Sequence, residues 1–124
     1  MHLQESGEMY LETLYILSHK SNAVRQLDIA EYMNYSKPSV NRAIGLLKNG
    51  GYIESDSEGF LHLTDAGTEV AEKIYERHTL LTQFFIHIGV PEDIAAEDAC
   101  KIEHDISDTT FEALKKHAGN AGKQ

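Results

Sequence analysis

The most constraining feature of this sequence is a polar Asn-Tyr-Ser turn at residues 34–36, which separates two segments with helical periodicity. Ser36 is a favourable N-cap, and Pro38 fits the first turn of the helix that follows. The apolar stripe of that helix ends before Gly50 and Gly51, and glycine commonly terminates a helix. Residues 28–33, before the turn, are predicted to form a short helix. A short helix, a tight turn and a longer helix together restrict the fold to a few helical arrangements.

A predicted β-hairpin follows directly. Residues 52–63 hold two short runs with strand character on either side of a polar turn that contains Gly59. An apolar helix over residues 8–19 precedes the two-helix segment. The order helix, short helix, turn, helix and hairpin is that of a winged helix-turn-helix, in which the second helix of the pair enters the DNA major groove. We therefore expect residues 1–63 to form a winged helix-turn-helix DNA-binding domain.

Residues 64–124 are predicted to be helical. Thr64 is suited to cap a long helix that reaches about residue 87 and ends at the Gly-Val-Pro sequence of residues 89–91. Two further helices are expected, over residues 92–107 and 108–117. The predicted fold class is mainly α, with the winged helix-turn-helix domain followed by an all-helical domain over residues 64–124.

Charge is distributed unevenly along the chain. The net charge of −9 argues against a general nucleic-acid binder. Residues 20–49, however, carry five basic and two acidic side chains, whereas residues 64–124 carry six basic and twelve acidic ones. The basic segment coincides with the predicted DNA reader, although uneven charge is also common in acidic cytosolic proteins. The predicted wing contains Glu54, Asp56 and Glu58, which repel phosphate, so we expect a weak wing contact with DNA or none.

Residues near the start of the second helix of the pair are the candidate DNA contacts. Asn41 and Arg42 are suited to base edges, whereas Ser36, Lys37 and Ser39 are suited to phosphates. The predicted DNA-binding set is Arg25, Ser36, Lys37, Pro38, Ser39, Asn41 and Arg42. The alternative interpretation is a solvated helix face in an α-rich domain.

A candidate metal site lies in the Cys-Lys-Ile-Glu-His sequence of residues 100–104. In a helix, Cys100, Glu103 and His104 stand at positions i, i+3 and i+4 and share one face. Thiolate, carboxylate and imidazole groups bind divalent transition metals. Further candidate ligands stand on the first helix and on the long helix. The candidate set is Met9, Glu12, His78, Cys100, Glu103 and His104.

Each candidate ligand also has a structural interpretation. Taken alone, Met9 and Cys100 are typical core residues, Glu12 is typical of a solvated helix face, and His78 is typical of a structural or exposed histidine. The clustering of three donors within residues 100–104 is less easily explained in that way. Sulfur donors favour Fe²⁺, Co²⁺, Ni²⁺ or Zn²⁺ over Mn²⁺ or Mg²⁺. A metal site attached to a DNA reader suggests a metal sensor.

The sequence also favours a cytoplasmic location. It contains no apolar run as long as the roughly 18–20 residues of a membrane span, and its N-terminus lacks the basic start and apolar stretch of a signal peptide. Its single cysteine cannot form an internal disulfide, and a reducing compartment keeps it as a thiol. No small-molecule substrate pocket is suggested, so we do not expect an enzyme.

Six segments carry a resemblance to a known family: EMYLE at 8–12, DIAE at 28–31, SKPSV at 36–40, LTDAG at 63–67, YERH at 75–78 and EDACKIEH at 97–104. In these segments the chain resembles the metal-dependent repressors typified by the diphtheria toxin repressor and the manganese transport regulator. They extend over nearly the whole chain in the family's order, and the last is the most specific.

The resemblance implies a homodimer whose winged domain is followed by a helical metal-binding and dimerisation domain. Divalent metal, Fe²⁺ first and Mn²⁺ second, with Zn²⁺, Co²⁺ or Ni²⁺ as substitutes, would activate binding to a palindromic double-stranded DNA operator and repress metal-uptake genes. Met9, Cys100, Glu103 and His104 match the iron-type primary site. Glu12 and His78 match ligand positions of the manganese-type binuclear site, so this chain mixes both patterns.

Two departures from the family pattern concern the iron-type ancillary site. Thr82 stands where that site needs a carboxylate, and Ala96 stands where it needs a histidine. Many iron-type members add a third, SH3-like domain, which we do not expect within these residues. The alternative function is a winged-helix regulator that senses redox state through Cys100 or binds a small ligand.

Overall fold

The computed structural model describes residues 5–121 of the chain, and side-chain positions are described for residues 6–118. Within this range it contains six helices and one two-stranded antiparallel sheet. In chain order these are α1 (Glu5–Ser18), α2 (Gln26–Met33), α3 (Lys37–Asn49), β1 (Ile53–Ser55), β2 (Leu61–Leu63), α4 (Asp65–His87), α5 (Glu92–Ile102) and α6 (Asp108–Ala121). The chain forms two compact units, and the boundary between Lys73 and Ile74 falls within α4.

The first unit contains the predicted helix-turn-helix. The backbone N–H of Arg25 donates to the Asp28 carboxylate at 2.9 Å and so defines the start of α2. That helix ends at Met33, and its C-cap residue Asn34 has a φ of 58°, the left-handed conformation that asparagine tolerates at a helix C-terminus. Ser36 then caps α3, since its side-chain oxygen accepts the backbone N–H of Ser39 at 3.3 Å. The turn between α2 and α3 is therefore fixed by short-range interactions.

The hairpin that follows α3 is the wing of this unit. Its strands pair in the register Ile53 with Leu63, Glu54 with His62 and Ser55 with Leu61. The turn contains Gly59 at a φ of 87°, a conformation that glycine adopts without steric cost. In addition, the Leu61 backbone N–H donates to the Val24 carbonyl at 2.8 Å. The predicted β-hairpin is confirmed, with strands of three residues each.

A single apolar cluster holds the first unit together. Its most buried members come from every element of the unit, so the α3 helix is anchored by one face while its other face stays in solvent. The buried side chains are Tyr10, Leu11, Leu14, Val24, Ile29, Ala30, Val40, Ile44, Leu47, Ile53, Leu61 and Ala71.

The second unit is helical, as predicted. Its buried apolar side chains come from all three helices and are Ile74, Leu81, Ala95, Ala99 and Phe111. Helix α5 follows Pro91 but ends at Ile102, so the prediction of a helix over residues 92–107 was too long. The last helix, in contrast, continues to Ala121 instead of ending near residue 117. Among the residues described, no helix has the length and apolar character needed to cross a membrane.

The predicted order of helices and strands is confirmed for residues 5–121, and the fold class is mainly α. The domain boundary between residues 63 and 64 stays a prediction. Next to this boundary, the start of α4 packs closely against the backbone of residues 51 and 52. There Thr64 donates its hydroxyl to the Gly51 carbonyl at 2.6 Å, and its backbone N–H donates to the Tyr52 carbonyl at 3.1 Å.

This close approach predicts a large effect of Gly67→Ala. A Cβ at residue 67 would collide with the Tyr52 carbonyl oxygen, which is backbone and cannot rotate away. We expect a loss of about 3 kcal/mol in the free energy of unfolding, measured by urea denaturation. Gly45→Ala is the matched control, because nothing lies within 4 Å of the added Cβ and the site is helical. This control should gain about 0.5–1 kcal/mol, and equal behaviour of the two variants would contradict the close approach.

Candidate functional site

The exposed face of α3 is the first candidate site. Of the residues predicted to bind DNA, all seven are exposed: Arg25, Ser36, Lys37, Pro38, Ser39, Asn41 and Arg42. The α3 helix contains Lys37, Arg42 and Lys48 and no acidic residue. Its solvent face is therefore positively charged although the chain as a whole is acidic. Contact with DNA itself stays a prediction.

Arg25 is held beside the wing. Its guanidinium carbon lies 4.5 Å from the centre of the Phe60 ring, within the range of a cation–π interaction. Arg25 precedes α2, whereas Phe60 precedes β2. Their stacking places a positive charge at the turn end of the hairpin.

Asp56 organises the tip of the wing. One of its carboxylate oxygens accepts the backbone N–H groups of Glu58 and Phe60 at 2.9 and 3.0 Å. The other lies 2.8 Å from Nε2 of His62. The hydrogen bond from His62 lowers the pKa of Asp56, and the two backbone N–H groups act in the same direction. One of the three acidic wing residues is thus used to shape the turn.

Glu103 is the centre of the second candidate site, a potential metal centre in the second unit. Its side chain is fully buried. One carboxylate oxygen lies 2.8 Å from Nδ1 of His78, and the other lies 3.3 Å from Nε2 of His104. The carboxylate thus links two imidazole groups.

Cys100 and His104 stand on either side of Glu103 in the chain. Cys100 lies within α5 as a half-buried thiol, and Glu103 is the helical C-cap residue whose backbone N–H donates to the Ala99 carbonyl at 2.9 Å. His104 follows in the turn, with its side chain fully buried. The sequence pattern predicts His104 within the helix, and the helix instead ends at Ile102.

Arg77 also belongs to this site, although it is not among the predicted ligands. Its guanidinium donates to the Glu103 carbonyl at 3.1 Å and to the Ile106 carbonyl at 2.6 Å, and it forms an ion pair with Asp108. These bonds secure the backbone that follows α5 and account for the helix end there. The signal was present in the sequence, because Arg77 lies at helical spacing between the buried Ile74 and Leu81. A charged residue on an apolar stripe indicates a buried polar contact.

The remaining predicted ligands, Met9 and Glu12, lie in α1 of the first unit. Met9 is half-buried, and its carbonyl accepts the Thr13 hydroxyl at 2.9 Å. Glu12 is buried, with 9% of its surface exposed. Their participation in metal binding stays a prediction.

The donor atoms of the second unit fit a divalent transition metal. A thiol, a buried carboxylate and two imidazoles come from residues 78 and 100–104, and such a mixed set suits borderline ions. Thr82, which replaces the carboxylate of the iron-type ancillary site, donates its hydroxyl to the His78 carbonyl at 2.7 Å. It therefore acts within its own helix.

Two family models match the chain. The N-terminal DNA-binding domain of iron-dependent repressors matches residues 2–59, and the metal-binding and dimerisation domain of iron-dependent repressors matches residues 64–123. The chain belongs to the iron-dependent repressor family. Members of this family are metal-dependent, DNA-binding transcriptional repressors and not enzymes. The predicted family, the winged helix-turn-helix fold with a dimerisation domain, and the regulatory role are confirmed.

Relatives of this iron-dependent repressor family member include an HTH-type transcriptional regulator of Methanocaldococcus jannaschii. It is 31% identical over 115 residues, a match that covers 91% of this chain and 92% of the relative. The transcriptional regulator MntR of Escherichia coli is 31% identical over 114 residues, which are 92% of this chain and 74% of MntR.

Among solved structures, the manganese regulator SloR superposes with a TM-score of 0.82 and 29% identity. The match covers 96% of this chain and 55% of SloR, so the chain spans about half the length of that relative. The structure of ScaR with bound Zn²⁺ gives a TM-score of 0.79 at 29% identity, over 91% of this chain and 53% of ScaR.

The α3 cap gives a testable prediction for this repressor. Ser36→Ala removes the oxygen that accepts the Ser39 N–H, and we expect a loss of about 1 kcal/mol in the free energy of unfolding. Ser39→Ala keeps the cap and loses only the exposed hydrogen bond between the two hydroxyls. This control should stay within about 0.5 kcal/mol of the unmodified protein in the same urea titration. Equal losses would show that Ser36 does not stabilise α3 as a cap.

Proposed function

We propose that this protein is a metal-activated homodimeric repressor that binds a palindromic operator and controls iron- or manganese-uptake genes. The observation that carries the proposal is the buried Glu103 carboxylate between His78 and His104, in a chain whose α3 helix exposes only basic charge. A buried carboxylate is costly unless it is paired or binds a cation. A basic exposed helix after a tight turn is the arrangement that reads a major groove.

The proposed ligands are Cys100, Glu103, His104 and His78 of the second unit, together with Met9 and Glu12 of α1. The assignment of the α1 residues is based on the sequence pattern and the family resemblance. A bound divalent cation supplies concentrated positive charge and directional bonds to several ligand atoms. Cys100 and the imidazoles bind only in their deprotonated forms, so affinity should decrease in acid.

Iron is the proposed physiological metal, and manganese is the second candidate. Met9 and Cys100 are sulfur donors, which Fe²⁺ accepts more readily than Mn²⁺. The relatives do not point the same way, because SloR is named a manganese regulator and ScaR is seen with Zn²⁺. Activation is proposed as a population shift: a DNA-competent state that holds the ion more tightly becomes more populated as the ion is added.

The DNA side of the proposal uses the α3 residues. Asn41 and Arg42 would contact base edges, while Ser36, Lys37 and Ser39 would contact phosphates. Pro38 shapes the first turn of α3, and Arg25 would add a phosphate contact beside the wing. A homodimer presents two such helices, which accounts for a palindromic operator.

The proposed functional division places DNA binding in residues 1–63 and metal binding with dimerisation in residues 64–124. The family matches over residues 2–59 and 64–123 support this division. We infer a cytoplasmic location because a repressor must reach chromosomal DNA and because a reducing compartment keeps Cys100 as a thiol.

Metal dependence is tested by anaerobic fluorescence anisotropy with a labelled palindromic operator from the protein's own promoter region. We expect binding with Fe²⁺ or Mn²⁺ and at least a tenfold loss of operator affinity with chelator. A tenfold change corresponds to about 1.4 kcal/mol of coupling between metal and DNA binding, which is typical of allosteric proteins. His104→Ala and Met9→Ala should lose the metal response. His19→Ala is the control, because His19 is exposed and, among the described hydrogen bonds, its ring bonds only the Tyr15 carbonyl of α1. Operator binding that is unaffected by chelator but is lost on addition of peroxide would favour redox sensing through Cys100 instead.

Base recognition by α3 is tested separately, with saturating metal. Arg42→Ala should weaken operator binding by about 1–3 kcal/mol and relax the base preference at one position of each half-site. Lys116→Ala removes the same charge from an exposed position on α6. It should leave operator affinity close to that of the unmodified protein. Equal losses for the two variants would indicate general electrostatic attraction and not base reading by Arg42.

A further inference from the structure

Arg77 makes an unusual set of contacts for one side chain. It is 5% exposed, and it bonds the carbonyls of Glu103 and Ile106 as well as the Asp108 carboxylate. Its guanidinium carbon also lies 5.4 Å from the centre of the Phe111 ring. These partners span the end of α5, the following turn and the start of α6. One planar group thus fixes the course of the chain on both sides of His104.

Arg77 and its neighbour His78 hold Glu103 at two different points. Arg77 bonds the backbone carbonyl of Glu103, while His78 lies 2.8 Å from its carboxylate. The bond from Arg77 to the carbonyl fixes the backbone position of Glu103, and the bond to the His78 imidazole fixes the direction of its side chain. Ligand geometry in metal sites depends on such supporting contacts, which commonly change metal affinity by about 10–100-fold when removed.

We propose that Arg77 is a positioning residue that presents Glu103 and His104 to the metal and thereby sets metal affinity. This role rests on the proposed metal site, which contains both residues. A purely stabilising role explains less, because the Asp108 side chain is 68% exposed and an ion pair with an exposed partner contributes little to stability. The planar guanidinium matters, since its several N–H groups reach separate acceptors in fixed directions.

Lysine at this position is the discriminating substitution. Arg77→Lys keeps the charge, but a single ammonium cannot bond both carbonyls and the Asp108 carboxylate in the same directions. We expect Co²⁺ affinity, measured by competition with a fluorescent chelator, to decrease about 10-fold or more. We also expect the visible absorption bands of bound Co²⁺ to change, because they report coordination geometry. A purely structural arginine would lower the unfolding temperature and leave the spectrum of bound Co²⁺ unchanged.

Two further variants accompany Arg77→Lys, with all affinities measured well below each unfolding temperature. Asp108→Asn keeps Arg77 and removes its charged partner, so it should show a smaller loss in the same direction, and it decides the question if Arg77→Lys fails to fold. Lys115→Gln is the matched control. It breaks the exposed ion pair between Lys115 and Glu76, which also joins α6 to α4 but does not touch Glu103. Its affinity and spectrum should match those of the unmodified protein.

The outcomes distinguish the proposed metal site from the proposed role of Arg77. Absence of Co²⁺ binding by the unmodified protein would overturn the metal site and the role of Arg77 together. Normal binding by the unmodified protein with unchanged affinity and spectrum in Arg77→Lys would overturn only the role of Arg77. If Arg77→Lys does not fold, unchanged affinity and spectrum in Asp108→Asn would overturn it.

Discussion

Burial of the Glu103 carboxylate is the interaction on which the second unit depends. A carboxylate with no solvent exposure is expensive to desolvate and requires partners on both oxygens. Nδ1 of His78 is hydrogen-bonded to one oxygen at 2.8 Å, and Nε2 of His104 lies 3.3 Å from the other. Glu103 still has helical dihedral angles as the C-cap of α5, and Arg77 binds the carbonyls of Glu103 and Ile106 that follow. The side chain of His104 is buried beside the carboxylate.

The two units place their functional polar side chains in opposite environments. The first must expose polar side chains of α3 while anchoring the helix firmly, and it does so by burying Val40, Ile44 and Leu47 on the opposite face. The second must hide polar side chains and hold them in fixed directions, and it does so with hydrogen bonds from α4. An exposed helix face suits recognition of a charged polymer, whereas buried donors suit selective binding of a small cation. Family models for a DNA-binding domain and for a metal-binding and dimerisation domain match the two parts of the chain.

Local charge, and not net charge, is what matters for a DNA-binding role here. The chain carries −9 overall, yet α3 has no acidic residue and Arg25 stacks on Phe60 beside the wing. Asp56 is committed to the wing turn through two backbone N–H groups and His62. Its charge is therefore partly balanced within the hairpin. Phosphate repulsion from the wing should be weaker than three acidic residues suggest, because electrostatic effects fall off with local compensation and salt.

Features encoded within a few neighbouring residues could be predicted from the amino-acid sequence alone. Ser36 as a cap, Gly59 in the hairpin turn and the exposed polar positions of α3 all follow from local preferences and periodicity. The donors at residues 100–104 could be recognised in the same way, because their spacing is short. The sequence pattern did not predict that Glu103 is buried against His78, 25 residues earlier, or that Arg77 binds its carbonyl from 26 residues away, because both contacts depend on how distant helices pack. Helix propensity alone favoured continuation beyond Ile102, and hydrogen bonds from a distant helix overrode it, because burial leaves polar groups no other partners.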